Sequence, residues 1–159
     1  MNKKLVKYTI CKPQIVYFLL FLGQKGVYIM AWIEWNPNPR GRHVGDCTVR
    51  AITKATGESW ESAYSGIAIQ GFLLADMPSN NSVWASYLRK KGFVRRPIPD
   101  DKPDDYTVED FCQDHPKGMY VVAVSGHVLT VVDGDYFDSW NSGNELPIYY
   151  FEKKESEDK

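Results

Sequence analysis

Apolar and polar positions divide the chain into two halves with different periods. After Met30, Ala31-Trp32-Ile33-Glu34-Trp35 alternates enough for a short strand, and Asn36-Pro37-Asn38-Pro39-Arg40-Gly41 follows as a run of turn residues. From Cys47 to Thr56, apolar or small side chains recur at Val49, Ala51, Ile52 and Ala55, which predicts a helix with one broad inward face. Asp46 stands where an N-cap belongs, and Gly57 supplies the stop. A second helix is expected from Ser59 as N-cap through Trp60, Ala63, Tyr64 and Ile67. A third starts from the Pro78 to Asn81 segment, runs through Val83, Trp84, Tyr87 and Leu88, and stops at Gly92. The rings of Trp60, Tyr64, Phe72, Trp84 and Tyr87 share helical spacing and read as core or cleft lining.

Beyond Gly92 the period shortens. Phe93 to Pro99 is expected to be extended, Pro99 to Asp105 to form a solvated loop, and Thr107 to cap a short helix through Phe111 that ends before Pro116. Met119 to Val124, His127 to Val132, Tyr136 to Trp140 and Ile148 to Phe151 are β-branched and aromatic runs separated by Gly, Asp and Asn, the pattern of antiparallel strands. Helices followed by strands give an α+β fold, with a cleft expected between the end of the first helix and the face of the sheet. One domain over residues 30–152 is expected, followed by a charged tail over 153–159.

Composition narrows the function classes. The chain has 159 residues, 43% hydrophobic, with 19 Lys and Arg against 20 Asp and Glu, so it can build a core and carries no basic field for nucleic acid or membrane. Cys11, Cys47 and Cys112 form an odd set without a CxxC pair, and the three histidines lack metal-ligand spacing against them. A reduced protein without metal or cofactor is expected. Residues 1–29 carry Lys3, Lys4 and Lys7 before the apolar run Ile15 to Leu22, superficially like a secretion signal, but no small-x-small cleavage pattern follows. Gln24-Lys25-Gly26-Val27 is compatible with a purine-rich ribosome-binding sequence just before the Met30 codon. Translation from Met30, a non-native leader over residues 1–29 and a cytoplasmic protein are therefore expected, with secretion as the competing reading.

Three residues stand out chemically. A cysteine in the first turn of a helix has its thiolate stabilised by unpaired N–H groups and the helix dipole, which distinguishes Cys47 from a core cysteine such as Cys112. A two-residue turn at Asp133-Gly134 pairs Val132 with Asp135, hence Leu129 with Asp138 and His127 with Trp140. His127, Asp138 and Trp140 then share one face, with the carboxylate diagonal to the imidazole and able to orient it. Asn141 is the neighbouring alternative for that role. His115 before Pro116 suits a helix C-terminal cap, and Arg40-Gly41-Arg42-His43 reads as an exposed turn with some affinity for anions.

Cysteine on a helix, histidine on a strand and then Asp138-Ser139-Trp140 resembles the papain-like cysteine peptidases, whose third residue lies in an Asn-Ser-Trp motif. An Asp in that place is similar to small bacterial members such as the bacteriocin-processing peptidases. The resemblance spans about Gly41 to Ser142. It implies a helical lobe carrying the nucleophile against an antiparallel sheet, a Cys47-His127-Asp138 triad acting on a peptide or other amide, and shielding of the His-to-Asp bond by Trp140. The family's oxyanion-donating Gln, some six residues before the cysteine, corresponds to Gly41 here. Asn36 and Asn38 lie upstream as substitute donors, with Arg42 as a further one. The alternative is a catalytically silent papain-like module that binds a protein partner.

Overall fold

The structure is a computed structural model and describes residues 30–154. The expectations for residues 1–29, for Cys11 and for 155–159 lie outside the described residues. Four helices and six strands form an α+β fold around one mixed sheet, in the order β1-β5-β4-β3-β6-β2. The strands are β1 (Trp32–Glu34), β2 (Phe93–Pro97), β3 (Met119–Val124), β4 (His127–Val132), β5 (Asp135–Asp138) and β6 (Tyr149–Lys153). The helices are α1 (Cys47–Thr56), α2 (Trp60–Leu74), α3 (Asn81–Lys90) and α4 (Val108–Asp114).

Local chemistry explains the boundaries. Gly57 closes α1 at φ 75°, Ser59 accepts from the Ser62 N–H at the start of α2, and Asn80 does the same for Ser82 in α3. Thr107 and Asp110 form a reciprocal capping box on α4. Between β4 and β5, Asp133 and Gly134 both adopt positive φ, 49° and 84°, as a primed two-residue turn requires. Val132 pairs with Asp135 across that turn, and Val131 with Tyr136, the register the turn dictates.

The sheet departs from the antiparallel expectation at one edge, where β1 runs parallel to β5, pairing Ile33 with Phe137 and Glu34 with Asp138. About a hundred residues separate the two strands, including all four helices, which leaves ample chain for a parallel connection. Strand β5 is also shorter than expected and ends at Asp138. There the side-chain oxygen Oδ1 accepts the Ser139 N–H at 2.7 Å and turns the chain out of the ladder.

Both faces of the sheet are covered, which explains the continuous apolar run in β3. On one face Val121, Ala123, Val128 and Phe151 pack with Val49, Ile52, Ile67, Trp84 and Leu88 from α1, α2 and α3. On the other, Val122, Val124, Leu129, Val131 and Tyr136 pack with Tyr106, Val108, Phe111 and Cys112 on and before α4. A buried bond from Thr130 Oγ1 to the Ala51 carbonyl, 2.8 Å, pins α1 onto β4. Phe72 departs from the core reading. Helix α2 runs on to Leu74 and turns Ala63, Ile67 and Gly71 inward, so Phe72 is 85% exposed. Among the described residues no helix is long and apolar enough to cross a membrane.

Phe151 is fully buried at the centre of the larger core, its ring 5.5 Å from that of Trp84. Phe151→Ala should cost about 3–5 kcal/mol in urea unfolding, whereas Phe72→Ser should stay within about 0.5 kcal/mol of wild type.

Candidate active site

The loop before α1 is organised by two asparagines. Gly41 closes a turn by donating its N–H to the Asn38 carbonyl at 2.8 Å, at φ 61°. Asn38 Oδ1 accepts from the N–H groups of Arg40 and Arg42, at 3.0 and 3.4 Å, while its Nδ2 donates to Asp46 at 3.3 Å. Asn36 Nδ2 donates to the Arg42 carbonyl. Asp46 occupies the N-cap position, but its carboxylate does not cap the helix. It is buried and saturated instead: Oδ1 pairs with Arg50 one turn along, and Oδ2 accepts from Asn38 and from Trp60 Nε1 at 2.9 Å. The first bond of the helical ladder runs from Arg50 N–H to the Asp46 carbonyl. The N–H groups of Cys47, Thr48 and Val49 therefore precede the ladder, at the positive end of the helix dipole.

His127 opens β4, and Asp138 closes β5, at the same end of the sheet. Their side chains meet through Nε2 and Oδ2 at 2.6 Å. Asp138 is 3% exposed and its carboxylate is held on three sides, by His127, by Ser142 Oγ at 2.7 Å on the same Oδ2, and by the Ser139 N–H on Oδ1. Its carbonyl accepts from the Trp35 N–H at 2.8 Å and from Trp32 Nε1 at 3.3 Å, so β1 fixes its backbone. Trp140 lies with its ring centroid 5.4 Å from that of His127. With Nε2 engaged by Asp138, Nδ1 is the ring nitrogen left for the half-buried thiol of Cys47, which interacts with His127 and with the Val128 N–H.

The electrostatics of the two described cysteines differ in sign. Burial raises the pKa of Cys47, but the hydrogen bond to His127, its charge, the Val128 N–H and the charge of Arg50 outweigh burial and hold the thiol below its ordinary 9.0. Cys112 meets burial, with Asp135 and Glu109 nearby, and is pushed up to about 12. For His127, burial favours the neutral ring, yet hydrogen bonds to Asp138 and Cys47, with their charges, push it up to about 9. Both shifts run in the direction that favours passage of the proton from thiol to imidazole.

The structure thus brings Cys47, His127, Asp138 and Trp140 together. Asn141 is elsewhere: its Oδ1 accepts from the Tyr136 hydroxyl at 2.6 Å and the Gly143 N–H at 3.1 Å, so it braces the loop after β5 and does not orient His127. Asn36 and Asn38 use their amide groups within the loop and on Asp46, which makes them scaffolding for the start of α1. A Cβ added at Gly41 would meet nothing within 4 Å, so that position faces open space. At the head of α1 the backbone N–H groups of Cys47, Thr48 and Val49 remain outside the helical ladder. Two contributors escaped the sequence reading. Ser142 holds Asp138, and its spacing of four residues beyond Asp138 is too common a pattern to single it out. Arg50 pairs with Asp46, and here the i,i+4 spacing of opposite charges was a usable signal. His115 does cap α4, its Nδ1 lying 2.8 Å from the Phe111 carbonyl. Among the described residues no cluster of three His, Cys, Asp or Glu could hold a metal.

The raised pKa of His127 means that folding favours its protonated form. That contribution to stability is complete below pH 6.5 and is lost as pH rises through about 9. In an NMR titration the imidazole of His127 should have its midpoint near 9, and in Asp138→Asn the midpoint should fall toward 6.5. A midpoint indifferent to the substitution would mean that Asp138 does not set the proton affinity of His127.

No protein-family model, curated protein or solved structure matches the chain. The identity of the site therefore rests on its own residues and their arrangement.

Proposed function

We propose that the protein is a papain-like cysteine hydrolase that cleaves a peptide or other amide bond through an acyl-enzyme intermediate. The single observation that carries this reading is the convergence of the Cys47 thiol, the His127 imidazole and the buried Asp138 carboxylate, with the His127-to-Asp138 bond at 2.6 Å. The thiolate attacks the carbonyl carbon, and the carbonyl oxygen takes up the negative charge within reach of the N–H groups at the head of α1. As the C–N bond breaks, the His127 imidazolium gives its proton to the leaving amine. A water molecule then loses a proton to His127 and attacks the thioester, releasing a carboxylic acid and restoring thiolate and imidazolium. Asp138, held by Ser142 and the Ser139 N–H, keeps the ring oriented and stabilises its charge through both steps.

Peptidase, isopeptidase, deamidase and transamidase chemistry share these steps and differ in the nitrogen that leaves and the nucleophile that follows. A second reading, a partner-binding module without turnover, draws support from α2, whose outward Ile69, Phe72 and Leu73 are 61%, 85% and 63% exposed. In that case Cys47 forms no acyl adduct with any peptide. Under the first reading, Cys47→Ala should abolish hydrolysis of an internally quenched peptide library, and Asp138→Asn should lower kcat about a hundredfold or more. Mass spectrometry after acid quench should find the acyl group on Cys47. Hydrolysis that survives Cys47→Ala would remove the cysteine from the mechanism.

A further inference from the structure

The segment Arg40-Gly41-Arg42-His43 takes no part in the chemistry above, yet two of its residues, Arg40 and Arg42, line a cavity that also reaches Asp46 at the start of α1. A cavity of about 380 Å³ opens immediately before α1, lined by Asn38, Arg40, Arg42, Asp46, Trp60 and Tyr64 among others. Its aromatic wall is ordered: the rings of Trp60 and Tyr64 are stacked 4.9 Å apart with planes 10° from parallel, and the indole N–H is fixed on Asp46. The carboxylate of Asp46 adds no free negative charge, because Arg50, Asn38 and Trp60 take up both its oxygens. Arg40 and Arg42, by contrast, are exposed, and neither forms an ion pair among the described residues. Their backbone N–H groups converge on Asn38 Oδ1, which anchors the loop that carries them. The cavity therefore joins two arginines without an ion pair among the described residues to a stacked aromatic pair, and its lining runs up to Asp46, the residue before Cys47 in sequence.

We propose that this cavity binds a carboxylate borne by the substrate close to the bond that Cys47 attacks, an inference that rests on the acyl-transfer reading. Guanidinium groups grip carboxylates through paired N–H donors, and an aromatic wall packs the chain that carries the carboxylate. The carboxylate belongs either to an acidic side chain next to the scissile amide or to the free C-terminus of a short leaving segment. Both sources share the same chemistry at Arg40 and Arg42.

Two measurements test this on the intact chain. In the first, Cys47 is alkylated with iodoacetate and with iodoacetamide, in wild type and in the Arg40→Gln/Arg42→Gln double variant. The ratio of the iodoacetate rate to the iodoacetamide rate should fall about fivefold in the variant, with the iodoacetamide rate itself little changed. A ratio untouched by the double substitution overturns the proposal. Failure of a different kind, in which wild-type Cys47 reacts with iodoacetamide no faster than a free thiol at neutral pH, counts against the acyl-transfer reading and leaves the ratio as the measure of the cavity. The second measurement compares peptides with Glu against Gln beside the cleaved bond, and with free against amidated C-termini. A preference of about tenfold in kcat/KM, carried by KM and lost in the double variant, supports the proposal. Preference for Glu assigns the side chain, and preference for the free terminus assigns the terminal carboxylate. Equal turnover of all four overturns it.

Discussion

The meeting of Cys47 and His127 depends on how α1 sits on β4. Cys47 and His127, the proposed nucleophile and base, are eighty positions apart in the chain, and no local rule makes them meet. The hydrogen bond from Thr130 Oγ1 to the Ala51 carbonyl, buried between helix and strand, fixes the helix against the strand that begins with His127. Val49, Ile52 and Val128 fill the space around it. A polar bond in that position is costly to leave unmade, so it selects one seating of the helix among those that hydrophobic packing alone would tolerate. Once α1 is seated, Cys47 meets His127 and the Val128 N–H at the start of β4.

Both buried aspartates of the site are met by several partners. Asp138 is met by His127, Ser142 and Ser139, and Asp46 by Arg50, Asn38 and Trp60. The second arrangement serves the first. An unpaired Asp46 next to Cys47 would oppose a thiolate, whereas Arg50 neutralises it and adds a positive charge that lowers the thiol's pKa. The diversion of Asp46 toward Arg50 also leaves the head of α1 without a side-chain cap, the opposite of what a stability-optimised helix would choose but what the proposed mechanism requires of an oxyanion site.

Much of this was legible in the sequence because it is local. Hairpin parity at Asp133-Gly134 fixes the register of β4 and β5, and with it the side of the sheet on which His127 and Asp138 both lie. Helix starts and stops at Gly57, Ser59 and Thr107 follow from capping chemistry. What escaped is non-local. The parallel pairing of β1 with β5 depends on which sheet edge is left open after the hairpins form, and no residue of either strand announces it. The role of Ser142 and the bracing role of Asn141 depend on the path of a loop that contains no periodic pattern. Gly41 attracted attention as a missing donor because of a family resemblance, while its position in an open turn is a matter of three-dimensional reach.

The proposed mechanism requires that His127 hold Cys47 as a thiolate. Titrating the ultraviolet absorbance of the thiolate in wild type and subtracting the Cys47→Ala curve isolates this one group. The account predicts a midpoint below the ordinary 9.0, rising when His127 is replaced by Ala. A midpoint at or above 9.0, unchanged in His127→Ala, would contradict it.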